Sequence, residues 1–360
     1  MSDPSSAPRS FSFARVLLLA LPLAVVLWGA FKLYGGSVEQ QKAEAEAKGR
    51  RSTLVGLMGE SGDASQLAAG YADADGDMLA DPPAASDAKD PEELKFSYVS
   101  SGANEGAEQE WQELLAALKE KTGKNVTLVT YADTGEQLRA LASGDLHVTA
   151  FSTGEAPVAV TTAGFIPVAC FANASGDYRI TMRIIVPADS PIEKLPDLKG
   201  RHVKFVRPRS HTGCTAALVL LMDKHNLQPE RDYHWGFSFD HEKSIAGVAA
   251  KKVEAAAVAS DILDRMIAAG DVQKDAIKVI YESEPFPPSV VGFAHNLTPE
   301  LRTAITATLL EFDLKGTGLE KRYGASGAVK FASVNYKEDW KAVREIRSAG
   351  SELLSRIGSP

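Results

Sequence analysis

No stretch of this chain gathers lysine and arginine into a patch, and its formal net charge is -8. The electrostatic footprint that nucleic-acid binding needs is therefore missing. The 7 histidines show no His-x-x-x-His spacing, and the 2 cysteines, Cys170 and Cys214, stand far apart in the sequence, which excludes a recognisable metal cage. Gly-x-Ser-x-Gly, a phosphate-binding Walker loop and a Gly-x-Gly-x-x-Gly after a strand are also absent. Ser210 with His241 and Glu242 has the residue types of a hydrolytic set but no nucleophile signature around it, so no catalytic residue and no cofactor is expected. In an oxidising compartment Cys170 and Cys214 are free to pair, although nothing in the sequence fixes their distance; unpaired buried thiols are the commoner case.

What is present begins with one long apolar run. Arg9 and Arg15 precede an uncharged stretch from Val16 to Phe31, followed by Lys32, Leu33 and Tyr34. Counted through Tyr34, with Lys32 able to snorkel, the run approaches the roughly 20 residues that span a bilayer. It exceeds the roughly 7–15-residue core of a cleaved signal peptide, and no Ala-x-Ala site follows. The expectation is an uncleaved signal-anchor over residues 16–34, with residues 1–15 cytoplasmic and the rest beyond the inner membrane. Residues 35–93 read as a linker rich in Ala, Gly, Asp, Glu and Ser, with 70–91 disordered. Asp73, Asp75 and Asp77 resemble the start of a calcium loop, but Ala84 stands where a bidentate Glu is required, so these acids read as solvated linker.

From Leu94 the texture changes, and 360 residues at 44% hydrophobic content allow one large or two moderate domains. Strands are expected at Leu94–Val99, Asn125–Tyr131 and Leu146–Phe151, alternating with helices at Gln109–Lys121 and Glu136–Ala142. That β-α order predicts a mostly parallel sheet with helices on its faces. Further strands are expected at Ile166–Ala172 and Ile180–Pro187, the latter long enough to cross between domains. A second series follows: strand Val203–Val206, helix Thr215–His225, strand Tyr233–Ser238, helix Lys243–Ala250 and strand Val253–Val258. Strands Ile277–Tyr281 and Val290–Ala294 flank a Pro-rich turn, and the remainder reads as helical. The body is therefore two-lobed with a cleft: 94–180 and 291–360 in one lobe, 181–290 in the other.

Polar residues cluster where the strands end. Ser100-Ser101-Gly102, Asp133-Thr134-Gly135 and Ser152-Thr153-Gly154 are hydroxyl-Gly turns at the edge where open α/β sheets keep their ligands, although each on its own also serves as a helix cap. The densest is Ser210-His211-Thr212-Gly213, which opens an Ala/Leu/Val-rich helix. Unpaired amides and the positive end of the helix dipole let an anion sit there.

In register, Asp189-Ser190-Pro191, Leu198-Lys199-Gly200, Ser210-His211-Thr212-Gly213, His241-Glu242, Ser260-Asp261 and the turn from Tyr281 to Ser289 resemble the phosphonate, phosphite and phosphate-binding proteins of bacterial ABC importers, over roughly Leu94 to Trp340. The resemblance implies a two-lobed α/β fold of the type II periplasmic-binding class. It implies an oxyanion cradle at Ser210, His211, Thr212 and Gly213, where His211 replaces an expected hydroxyl, and ligand contacts from His241, Asp261, Thr134, Ser152, Ser100 and Ser289. At Asp261 a carboxylate meets an ammonium in some relatives, and it also suits the proton of a monoprotonated oxyanion. Ser289 replaces a second acid of those relatives and Thr134 a tyrosine, which leaves the ligand open among phosphate, phosphite and phosphonates. The implied partners are a small oxyanion and an ABC permease with its ATPase, with the membrane reached through the N-terminal helix. The alternative is a periplasmic sensor or accessory module that signals to a membrane partner.

Overall fold

In the computed structural model the described residues are 41–57, 66–98 and 107–358. Two compact units divide the chain. Of the first, Met1–Arg50, residues 41–50 are described and helical. Among the described residues no helix is long and apolar enough to cross a membrane; the apolar run 16–34 lies outside them, as does Ser100.

The second unit, Arg51–Pro360, is built on two sheets. The strands of the first are β1 (Glu93–Tyr98), β2 (Asn125–Leu128), β3 (Val148–Phe151), β4 (Phe165–Ala172), β10 (Val290–Ala294) and β11 (Lys330–Ser333), in the spatial order β11-β4-β10-β3-β1-β2. The second sheet holds β5 (Met182–Pro187), β6 (His202–Phe205), β7 (His234–Phe237), β8 (Ala255–Ala259) and β9 (Ile277–Glu282), in the order β7-β6-β8-β5-β9. Central strands are buried throughout, because helices cover both faces: every residue of β3, β8 and β10 is buried, with Thr149 as the one polar side chain. At the edge, β2 alternates. Helix Ala107–Thr122 has Glu108 and Glu110 in its first turn and Lys119 and Lys121 in its last, matching the dipole, and buries Trp111, Leu114 and Leu118.

The β-α strands pair in parallel, β1 with β2 and β3, and β6 with β7 and β8. The strands that enter from the other lobe run against them. Thus β5 is antiparallel to β8 and β9, and β10 to β3 and β4. Each arrives from the cleft side, where the β-α strands end, so its direction is reversed.

Four local expectations need correction. The strand expected at Ile180–Pro187 begins at Met182 and pairs on both sides within the second sheet, so it is not itself the crossing. The crossings are instead the segments 173–181 and 283–289, joined where Ile180 and Phe286 exchange backbone hydrogen bonds of 2.8 and 2.6 Å. Second, the region after Pro299 contains the strand β11, antiparallel to β4. Third, the segment from Phe151 to Phe165 contains an unforeseen helix, Ala156–Ala163, opened by Pro157. Fourth, residues 70–91 are not a disordered linker but a strap on the first lobe. Lys89 N donates to Asn296 O, Thr298 N donates to Lys89 O, and Ala80 is buried. On this strap the exposed Asp73, Asp75 and Asp77 lie with carboxylate oxygens within 4.8 Å of one another, and each accepts a backbone amide of its own loop. Cys170 and Cys214 are separate buried thiols.

Candidate functional site

Four helices begin at one cavity of about 250 Å³ between the sheets. From the second lobe come the turn His211–Thr215 after Ser210, the helix His241–Ala249 after Asp240 and the helix Ser260–Ala268 after Ala259. From the first comes Ala156–Ala163 after Glu155. Residues from each of these starts line the cavity. Their dipoles add positive potential at one point without requiring a bound cation.

Ser210 caps its helix, one of the two roles read from its sequence, and it lines the cavity. Its Oγ accepts from Gly213 N at 3.1 Å, capping its own helix, and lies 3.4 Å from His241 Nε2. The cap takes the third amide of the turn and leaves the amides of His211 and Thr212 ahead of it. Gly213 is required by space: a Cβ there would meet Val206 at 2.6 Å and Ser210 Oγ at 2.7 Å.

The two histidines differ. His241 Nδ1 accepts from Ala259 N at 3.2 Å, which places the ring proton on Nε2, facing Ser210 and the cavity. Burial first, and then the nearby Arg207 guanidinium, push its pKa down to about 4, so it is a neutral donor. His211 is pushed down to about 3, by burial and then by Arg347. Its ring packs edge-on against Phe286, centroids 4.4 Å apart, and its buried Nε2 has no partner among the described residues. Arg207, which also lines the cavity, has no ion-pair partner among the described residues. Asp261 lines the cavity with Oδ1 buried and unpartnered, and burial pushes its pKa up.

In the first lobe Thr134 and Ser152, expected to offer hydroxyls to a ligand, each donate to one carboxylate of the protein. Thr134 Oγ1 donates to Glu155 Oε1 at 2.7 Å and Ser152 Oγ to Glu155 Oε2 at 2.8 Å. Ser152 lines the cavity and Thr134 stands behind Glu155. Glu155, which is buried, is the wall residue that the sequence reading missed. Its signal was present, since it follows Ser152-Thr153-Gly154 directly. Ser289 also lines the cavity, and together with Tyr98 and Asp261 it borders a second one of about 200 Å³.

The lobes meet tightly around this space. A Cβ on Gly154 would strike the carbonyl oxygen of Arg209 and come within 3.0 Å of His211 N. At the rim, Glu242 accepts from Arg265 of its own lobe at 2.6 Å and from Arg322 of the other at 3.1 Å.

With this geometry in hand, similarity to known proteins is informative. The sequence model of a family described as the periplasmic substrate-binding protein of phosphonate ABC transporters matches residues 96–336. The phosphonates-binding periplasmic protein of Escherichia coli (strain K12) is 23% identical over 216 residues, 59% of this chain; the chain spans 64% of that protein's length. In fold, the chain is similar to the binding-protein component of an ABC phosphonate transporter from Pseudomonas aeruginosa (TM-score 0.58, 18% identity, 75% of this chain and 96% of that one). It is also similar to a Prochlorococcus marinus (MIT 9301) protein solved with methylphosphonate (TM-score 0.61, 14% identity, 71% and 97%).

Proposed function

The chain belongs to the periplasmic substrate-binding proteins of phosphonate ABC transporters, and on that footing we propose that it closes its lobes over a phosphate, phosphite or phosphonate-type oxyanion and delivers it to a permease driven by a separate ATPase. The observation that carries this reading is the convergence of helix starts on one cavity, with Ser210, Thr212 and the Nε2–H of His241 as side-chain donors. The amides of His211 and Thr212 complete a cradle for phosphoryl oxygens. Closure turns about the crossings 173–181 and 283–289. The apolar run 16–34 tethers the protein to the inner membrane, with the two-lobed unit in the periplasm.

No chemistry is performed in this reading. Ser210 and His241 have the look of a nucleophile and its base, but the Ala259 amide occupies Nδ1. Nε2 therefore carries a proton toward Ser210 and cannot take one from it. Calorimetry on the full chain with phosphate, phosphite, methylphosphonate and sulfate tests the assignment. Binding of at least one phosphorus oxyanion is expected, and failure of all of them overturns it.

A further inference from the structure

A buried carboxylate in an oxyanion chamber calls for a physical account. Glu155 opens the helix Ala156–Ala163 on the first lobe's wall of the cavity. Each of its oxygens accepts one hydroxyl, Thr134 at 2.7 Å and Ser152 at 2.8 Å. Two donated hydroxyls define an acceptor, and each carboxylate oxygen retains a further lone-pair site. Opposite, the second lobe presents the cradle that draws in negative charge. A fully ionised oxyanion between the two would press one oxygen against another anion, whereas a monoprotonated one places its P–OH on Glu155. This inference deepens the proposed function and rests on it.

We propose that Glu155 is the residue by which this site reads protonation: it accepts the proton-bearing oxygen of a monoprotonated phosphorus oxyanion and rejects anions that carry no proton, sulfonates and sulfate among them. Thr134 and Ser152 are then positioning residues that fix the carboxylate through their donated hydroxyls.

On its own helix, Ala156–Ala163, there is no charged side chain. Behind it lie Thr134 and Ser152. From the C-terminal helix, Lys341–Gly358, comes Arg347, which interacts electrostatically with Glu155 and with Arg209. Across the same cavity stand His211, His241, Arg207, Asp240, Asp261 and the rim set Glu242, Arg265 and Arg322. Burial lowers Arg347 to about 10 and leaves His211 and His241 neutral above about 3 and about 4. Asp261 is the acid of this lining whose pKa burial pushes up. A ligand that never carries a proton separates its contribution from that of the ligand.

The test is calorimetry on the full chain with methylphosphonate and methanesulfonate, which share a shape but not a proton, across pH 5.5 to 9. The second ionisation of a phosphate monoester falls near pH ~6, and that of an alkylphosphonate lies higher. For the wild type, methylphosphonate affinity is expected to fall about tenfold per pH unit above that ionisation, with methanesulfonate about 100-fold weaker. In Glu155→Gln the amide can donate, so methanesulfonate gains roughly tenfold or more and the phosphonate slope flattens; any slope left for methanesulfonate belongs to the other acids of the cavity, Asp261 among them. A wild type that binds both ligands equally overturns the inference without recourse to a variant, and so does a folded Glu155→Gln that keeps the wild-type slope and discrimination. A wild type that binds no phosphorus oxyanion at all overturns the proposed function as well.

Discussion

Arg322 of the first lobe reaches across the mouth of the cleft to Glu242 of the second, with Nη2 3.1 Å from Oε1, on a carboxylate already held at 2.6 Å by Arg265. The pair joins the lobes directly, so it favours the closed arrangement whether or not a ligand is present. Arg322 and Glu242 are 38% and 40% exposed, and solvent screening holds the expected coupling to about 0.2–1 kcal/mol. A double-mutant cycle with Arg322→Ala and Glu242→Gln, read as ligand dissociation rates, should show faster release in each single variant and little further gain in the double. Strict additivity would remove the latch from the account.

Buried neutral histidines set the response to acid. Unfolded histidine titrates near 6.5, while His241 and His211 are held down to about 4 and about 3. As pH falls below 6.5 the unfolded chain takes up protons that the folded chain refuses, so stability drops from about pH 6.5 down to those folded values. The slope is on the order of 1.4 kcal/mol per pH unit for each ring. Thermal melts between pH 7.5 and 4.5 should show the decline, and His241→Asn should reduce it. A melting temperature that is flat across this window contradicts the burial described for both rings.

Gly154 permits the closest approach of the two lobes. A methyl group there strikes the Arg209 carbonyl, and overpacking of this kind costs about 1–3 kcal/mol. Because the contact exists between lobes, Gly154→Ala should weaken ligand binding by about tenfold or more while shifting the melting temperature little. Small-angle scattering with ligand present should report a more open particle. Unchanged affinity would mean that closure is less tight than the structure shows.

The helix start at Ser210 was legible in the sequence because its signal is local. Ser210 precedes an apolar helical run, and its cap geometry follows from that placement alone. The β-α series was legible for the same reason, with runs such as Val148–Phe151 and Ala255–Ala259 too apolar for an exposed surface. What escaped depends on contacts distant in sequence. Nothing near Glu155 shows that Thr134, 21 positions away, will donate to it, so the hydrogen bonds of Thr134 and Ser152 to this carboxylate were not foreseen. Residues 70–91 have a linker's composition, and what anchors them, the backbone of Lys89 and a few scattered side chains such as Tyr71 and Ala80, follows no periodic pattern. Strand β11 is four residues long, and its partner β4 lies more than a hundred positions earlier. Helix Ala156–Ala163 is apolar nearly all round, so it shows no 3.6-residue period to read.

The central claim is that Ser210 and Thr212, at the head of the His211 turn, hold the oxyanion. The most direct measurement is calorimetry of methylphosphonate binding to the wild type and to Ser210→Ala with Thr212→Ala, both checked for folding by thermal melting. Each lost hydrogen bond to a charged oxygen is worth about 1.5–3 kcal/mol, so the double variant should bind at least about 100-fold more weakly. Its stability should fall only by the roughly 1 kcal/mol of a lost cap, a small shift in melting temperature. Wild-type affinity in the folded double variant would place the ligand elsewhere and contradict the account.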